Sequence, residues 1–533
     1  MFPVILLFGV LPLWGIIRLV RDERRLRRFP KPSIFAWTPA WLMYQSFQGR
    51  RYRAVHQAHK ELGPVVRISS NHVSFTDPAA FKEIYNYGSK IQKDDFYETI
   101  AAGNPSMAQT ASKELHGTKR RNLAHVFSAQ RITDMQPRIL QVVQKLTRDI
   151  GEKSQHGAFD LRPRLNMFSF DAVTSIFWSQ SYGFLDKGED VCSTQLSTGE
   201  VVETHAMNSY QSAVHFNVIW AHLTTEWYNI ARRVFQPVWG QRAGEYFVGM
   251  AKHLVNQRIR NKPTTPDLFS SLPLTATEKR PFPMTFDQVH AESTTMLDAG
   301  NDTTQISLTN MMYHLARYPH IQTKLRSELT TALGANISPP AGYESLSHIP
   351  YLRACLDESF RLRTPLAFGL PRKVIEPGVT VSGYEIYPGT TISAPIYSLH
   401  HNETLFGDCE SFIPERWLPN DSEPGATHFT SEQEHKNLKD FVLPFSLGSR
   451  ACIGRNLAYM ELSCVIAALV REFEWELEVP GSEMKTFERF NCGNVELMVK
   501  ARRVEGLPEA PIDHERSTQV VAEERHAPLR EQS

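Results

Sequence analysis

The chain has 533 residues, 41% of them hydrophobic and 22% charged, with 58 Lys plus Arg set against 57 Asp plus Glu. That length and hydrophobic share exclude a disordered chain, and the balanced charge excludes a dedicated nucleic-acid binder, whose basic residues should be in excess and clustered. A mean hydropathy of −0.33 excludes a polytopic transporter, and six cysteines with no CxxC pair exclude a disulfide scaffold and a zinc ribbon.

In chain order, the first predicted element is a membrane anchor. Residues 2–20 are apolar except for Arg18, and a helix of about 20 such residues crosses a bilayer. Arg21, Arg24, Arg25, Arg27, Arg28 and Lys31 follow, opposed only by Asp22 and Glu23. A cleaved leader carries its basic residues before the apolar run, so this order predicts an uncleaved single-pass anchor with the remaining chain on the cytosolic side. The sequons at Asn301, Asn336, Asn402 and Asn420 would then escape glycosylation. Residues 21–35, with Pro30 and Pro32, are expected to form a basic, stiff hinge.

Residues 36–503 read as one large domain, mainly α with small β-sheets, and the polar tail from Val504 is expected to be disordered. From 36 to about 330 the pattern is chiefly helical, broken at Asp186–Asp190 and at Lys262–Pro266. The clearest helix runs from Phe286 to Arg317, capped by Thr285 with Gln288 three residues on, and stopped by Pro319. At 1.5 Å per residue it is about 50 Å long. Gly300 lies midway along it, where glycine costs about 1 kcal/mol relative to alanine. Strand-like runs lie in Gly378–Ile392, with turns at Ser382-Gly383 and Pro388-Gly389.

The segment from Pro444 to Leu462 carries the most chemical information. Cys452 lies in a glycine-bearing loop that turns directly into an amphipathic helix, with Phe445, Gly448, Arg450 and Gly454 around it. Glycines let backbone approach something flat, and helix N-terminal N–H groups favour a thiolate over a thiol. A lone thiolate held this way suits the axial position of a heme iron.

With this loop in place, the chain resembles the cytochrome P-450 family of heme-thiolate monooxygenases over about Pro30 to Arg503, and three further motifs follow the family's order. Ala299-Gly300-Asn301-Asp302-Thr303-Thr304 matches the oxygen-activating stretch. The resemblance implies a groove for dioxygen at Ala299 and Gly300, a hydrogen bond to bound oxygen from Thr303, and proton delivery by Asp302. Glu358-Ser-Phe-Arg361 and Arg416 match its structural charge triad. His116, Arg120, Arg372 and Arg450 match residues that grip the heme propionates, and Cys452 matches the iron ligand, with Phe445, Gly448 and Gly454 in the cofactor loop. His116 stands where many members carry Trp, and Trp417 where Phe is common.

The resemblance further implies heme b as cofactor and an endoplasmic reticulum location. No GxGxxG or Walker loop is evident, so electrons are expected from NADPH through a separate cytochrome reductase, with cytochrome b5 as a second donor. Lys119, Arg121 and Arg455 are expected to face that acidic partner. The wording of the motifs is most similar to filamentous-fungal members, including benzoate hydroxylases and enzymes of secondary metabolism. The substrate pocket is expected to draw on Tyr97–Gln109, His205–Trp227, Met296, Ala299, Pro365–Leu370 and Asn491–Asn494. These segments are mostly apolar and suit a hydrophobic terpenoid, polyketide or alkaloid. A desaturase or isomerase on the same fold, and a non-enzymatic heme sensor, are the alternative readings.

Overall fold

A capping box opens the helix around which the molecule is built. Thr285 accepts from the Gln288 N–H, and Gln288 Oε1 accepts from the Thr285 N–H at 3.0 Å, starting the helix Phe286–Arg317 where the sequence predicts it. From Thr304 to Ala316 every residue of this helix is buried. Its polar residues there bond inward: Thr309 Oγ1 donates to the Gln305 carbonyl, and Asn310 Nδ2 to the Arg363 carbonyl. This computed structural model describes residues 22–88, 90–101, 104–235, 242–276, 283–336, 338, 340–418 and 438–505.

The helix Leu161–Trp178, apolar on nearly every face, packs along the central helix. A Cβ at Gly300 would lie 2.7 Å from Val173 Cγ2. Close approach of these two helices therefore gives the mid-helix glycine a packing reason. The helices Ala129–Ser154 and Arg455–Glu472 complete the same core.

Five short strands form the largest sheet, in the order Val65–Ser69, His72–Phe75, Thr391–Ser393, Arg372–Val374 and Ile91–Lys93. Strands thus occur well before residue 330, where the sequence pattern reads as helix; Val191–Gln195 and Val201–His205 form another pair, and Phe184–Lys187 closes a helical turn inside the expected break. The main sheet pairs Ile392 in parallel with Val73. The hairpin of Val379–Val381 and Tyr384–Ile386 forms as expected, turning on Ser382 and Gly383 at positive φ.

The predicted hinge is docked rather than free. Leu26 and Phe29 are buried against the sheet. The Arg67 N–H donates to the Pro30 carbonyl at 2.8 Å, and Arg24 donates to Asn71 Oδ1 at 2.9 Å. Residues 2–20, with the predicted anchor, and the tail beyond Glu505 lie outside the described residues. Among the described residues no helix is long and apolar enough to cross a membrane.

Candidate active site

The cysteine loop is shaped by what it must pass. Gly448 has φ +66°, and a Cβ there would come 2.5 Å from the Tyr85 carbonyl oxygen, so no other residue fits that turn unstrained. The Cys452 N–H then donates to the Phe445 carbonyl at 2.9 Å, closing the loop. Phe445 packs edge-on to Phe360 with ring centroids 5.3 Å apart. Gly454 caps the helix Arg455–Glu472 and turns its N–H to the Cys452 sulfur.

Cys452 is the exposed cysteine; the other five are buried. Its thiol pKa is nevertheless pushed up, chiefly by burial, with the Gly454 N–H, Arg120 and Arg455 opposing. Both facts hold if the sulfur opens onto an internal cavity, accessible to a ligand yet enclosed by protein. The surrounding dipoles and cations leave the thiolate short of stabilisation, and a coordinating metal ion supplies what is lacking.

Cations converge beside it. Arg450 donates to the Thr110 and Ala111 carbonyls at 2.6 and 2.8 Å, Arg120 to the Ala451 carbonyl at 2.8 Å, and Arg372 to the Pro371 carbonyl at 3.1 Å. Lys93 joins them, bonded to the Ala108 carbonyl. Burial and then Arg372 pull the Arg450 pKa down to about 10; burial, Arg372 and Arg450 pull Lys93 well down. His116 falls to about 3 through burial and then Arg450, Lys93, Arg120 and Arg372, so it stands as a neutral imidazole. Among the described residues none of these four cations forms an ion pair with a carboxylate. A cluster of like charges with no carboxylate partner, one of them buried and three half-buried, fits an anion with two carboxylates, which is what heme presents through its propionates. Lys93 has no sequence signature; it is a single lysine at the end of a three-residue strand, brought in by pairing with Arg372–Val374.

The triad residues meet as one buried unit. Glu358 accepts from Arg361 at 2.9 Å and from Arg416 at 3.3 Å, with all three side chains 0% exposed. Trp417 Nε1 donates to the same carboxylate at 3.0 Å, giving the tryptophan a task phenylalanine could not perform. Arg361 also donates to the His400, Cys409 and Ser411 carbonyls, so the unit pins the chain that leads towards the cysteine loop.

On the central helix, Ala299 is exposed while Asp302 and Thr303 are partly covered. Thr303 Oγ1 donates to its own helix, at the Ala299 carbonyl, 2.7 Å away, so its proton is engaged while its lone pairs remain free to accept. Asp302 accepts from Asn491 Nδ2 at 2.7 Å and Tyr210 Oη at 3.1 Å. Burial raises its pKa against the pull of Asn491, Tyr210, Arg489 and Arg162. The acid thus sits in a protein network of Asn491 and Tyr210. Burial raises the pKa of two further acids of this region: Glu461, which accepts from Thr304 at 3.2 Å, to about 8, and Asp298 to about 7. Neither Glu461 nor Asp298 stands out in the sequence, because single acids in helices are usually solvated.

Lys119 departs from expectation. It turns inward to the Pro105 carbonyl and Thr110 Oγ1, whereas Arg121 and Arg455 are exposed. Of the predicted pocket segments, Tyr97 and Val218 join one apolar cluster with Phe96, flanked by Phe490. A cavity of about 340 Å³ opens beside them, lined by Phe96, Thr99, His222 and Phe368 but also by Arg51 and Asp94. It is more polar than the sequence suggests and does not reach Cys452.

An accessible thiol in a glycine-shaped loop, cations gathered near it and a long glycine-bearing helix are the parts a heme-thiolate protein needs. The cytochrome P-450 family model matches residues 30–501, and the chain belongs to that family. It is 29% identical over 497 residues to benzoate 4-monooxygenase of Aspergillus niger, covering 90% of this chain and 93% of that one. It is 26% identical over 457 residues to tryprostatin B 6-hydroxylase of Neosartorya fischeri, covering 84% and 76%. A cytochrome P-450 monooxygenase of Neocamarosporium betae is 27% identical over 465 residues, covering 85% and 87%. The solved structure of a cytochrome P-450, CYP102L1, superposes with a TM-score of 0.71 at 18% identity, covering 89% of this chain and 99% of that one, and so shares its fold. The protein is an oxidoreductase of the monooxygenase type, and the family uses heme b on a cysteine thiolate with electrons typically drawn from NADPH through a reductase.

Proposed function

We propose that the chain inserts one atom of dioxygen into a small, largely apolar, aromatic-bearing secondary metabolite. The observation that carries the reading is the cluster of unpaired cations beside an accessible, protein-enclosed Cys452 sulfur. Cys452 would hold the iron, with Arg120, Arg372, Arg450, Lys93 and neutral His116 receiving the propionates. When bound, heme b supplies the activation of dioxygen. The chain's own part is to orient and to move protons: the Gly454 N–H holds the sulfur, Asp302 can carry a proton, and Thr303 can accept a hydrogen bond at its oxygen while bonded to Ala299.

Aromatic side chains support the substrate class. Phe96 and Tyr97 stand 5.4 Å apart, and Phe368 and Phe490 are likewise 5.4 Å apart, offering edges and faces to a flat ring. Relatives named for benzoate and for tryprostatin B point the same way. We also infer attachment to the endoplasmic reticulum membrane, with an NADPH-dependent reductase as electron donor. Support comes from the helical turn Ile34–Trp37, where Ile34 is 72% and Phe35 65% exposed beside a run of arginines.

Replacing Cys452 with Ser should abolish the red-shifted Soret band of the reduced, carbonyl-bound protein, and a retained band would remove Cys452 as ligand. Microsomes with reductase, NADPH, labelled dioxygen and fungal metabolite extract should yield a product carrying one labelled oxygen. Loss of two hydrogens instead would make the enzyme a desaturase.

A further inference from the structure

Asp302 meets both of its partners on one oxygen. Asn491 Nδ2 donates to Oδ2 at 2.7 Å, and the Tyr210 hydroxyl donates to the same atom at 3.1 Å. Among the described residues no group bonds Oδ1. Tyr210 comes from the helix Ala206–Trp220, and Asn491 from the turn between the strands Thr486–Glu488 and Cys492–Asn494.

That turn is pinned at both ends. Glu488 accepts from Arg51 at 3.2 Å and from the Tyr52 N–H at 2.8 Å, and its own N–H donates to the Gly49 carbonyl at 2.7 Å. The Cys492 N–H donates to the Pro365 carbonyl at 2.7 Å, and the Arg489 N–H closes the turn on the Asn491 carbonyl at 2.9 Å. Phe490 packs edge-on to Phe368 with ring centroids 5.4 Å apart. Asn491, itself 5% exposed, is therefore a donor held in one place against the acid.

We propose that Asn491 is a positioning residue for the active-site acid: with Tyr210 it makes Oδ2 the carbonyl oxygen of Asp302, so that the acid carries its proton on Oδ1. The proposal rests on the monooxygenase reading above, in which Asp302 carries a proton. A carboxyl C=O has two lone pairs, and one amide N–H and one phenol O–H fill both. Protonating Oδ2 would strand one of those donors, whereas Oδ1 is free to take the hydrogen. That both donors are neutral matters as well. A guanidinium or ammonium bonded here would favour the carboxylate strongly; an amide and a phenol orient the group and favour its charge only weakly. The other titratable groups about Asp302 are Arg489 of the same turn, Arg162 of the helix Leu161–Trp178, and Asp298 one turn earlier on its own helix. Burial outweighs Asn491, Tyr210, Arg489 and Arg162 together, and of those four Asn491 pulls hardest towards the carboxylate.

The test uses the purified, heme-loaded full chain. At acidic pH the infrared carboxyl band of Asp302 is the difference between each protein and the same protein carrying Asp302→Asn, which cancels the other protonated acids. A C=O that loses a hydrogen bond absorbs at higher frequency. The band should therefore move up in Asn491→Leu, by less in Tyr210→Phe, whose bond is the longer, and furthest in the double variant. A band that stays in place in both single variants would overturn the placement of the proton. As pH rises, the band should persist to higher pH in Asn491→Leu than in the wild type, because the amide supports the carboxylate. An unchanged or lowered midpoint would remove Asn491 as a partner of the acid. Asn491→Ala carries the same test if Asn491→Leu does not load heme. With reductase, NADPH, dioxygen and fungal metabolite extract, peroxide formed per NADPH should rise several-fold in Asn491→Leu, with little further rise when Asp302→Asn is added. Unchanged peroxide would overturn the positioning role. Absence of NADPH oxidation in every protein would instead sink the monooxygenase reading, while the infrared band still locates the proton.

Discussion

The two walls of the candidate heme cavity handle charge in opposite ways. On the cysteine side, Glu358 meets two guanidiniums and an indole, every partner is fully buried, and each group is satisfied. On the central-helix side, Asp302 and Glu461 have raised pKa values and bond to neutral groups, Asn491 and Tyr210 for the first and Thr304 for the second. The first arrangement fixes geometry, because no member can move without stranding a charge. The second stores protons, because burial keeps acids neutral near physiological pH. One wall holds a ligand in place; the other is equipped to titrate.

The largest effect that would break this contrast is on the fixed wall. Glu358→Gln leaves two buried guanidiniums without a counter-ion and should destabilise the protein by about 3–5 kcal/mol in denaturant unfolding. A loss no larger than that of a surface pair would show that the triad is dispensable. Arg131–Asp134, at 3.9 Å with both side chains exposed, is the control; Arg131→Ala should change stability by less than about 0.5 kcal/mol.

Gly300→Ala comes next. Its Cβ would press on Val173 Cγ2, and such overpacking costs on the order of 1–3 kcal/mol. Val173→Ala in the same chain should recover most of that loss. Failure of the rescue would return the glycine to a role facing the cavity.

A pH-dependent effect sharpens the titrating wall. Glu461 is held at about 8 in the fold, above the ordinary carboxyl value of 4.5. Between those two values the native state binds the proton and the unfolded chain does not, so stability falls as pH rises through that window. Melting temperature should therefore decline from pH 5 to 8 more steeply in the wild type than in Glu461→Gln. Equal slopes would mean that Glu461 is already ionised in the fold.

Much of the fixed wall was legible in the sequence. The helix over Phe286–Arg317, the cysteine loop and the Glu358–Arg361 spacing are local patterns, set by capping residues, glycines and i,i+3 geometry. Local rules could not supply the early strands, since Val73 pairs with Ile392 across more than half the chain. Nor could they supply Lys93 in the cradle, the inward turn of Lys119, or Val173 as the reason for Gly300. Tyr210 and Asn491 fell within expected pocket segments, yet their bonds to Asp302 join residues 92 and 189 positions away.

By itself the sequence determined the family's signature, a single cysteine in a glycine-framed loop and a long capped helix, because those features need only neighbours along the chain. The tertiary structure decided which acids are desolvated, which cations lack a carboxylate partner and which side chains reach Asp302. Desolvation and pairing arise only when distant segments close around a group, and no short stretch of sequence records them.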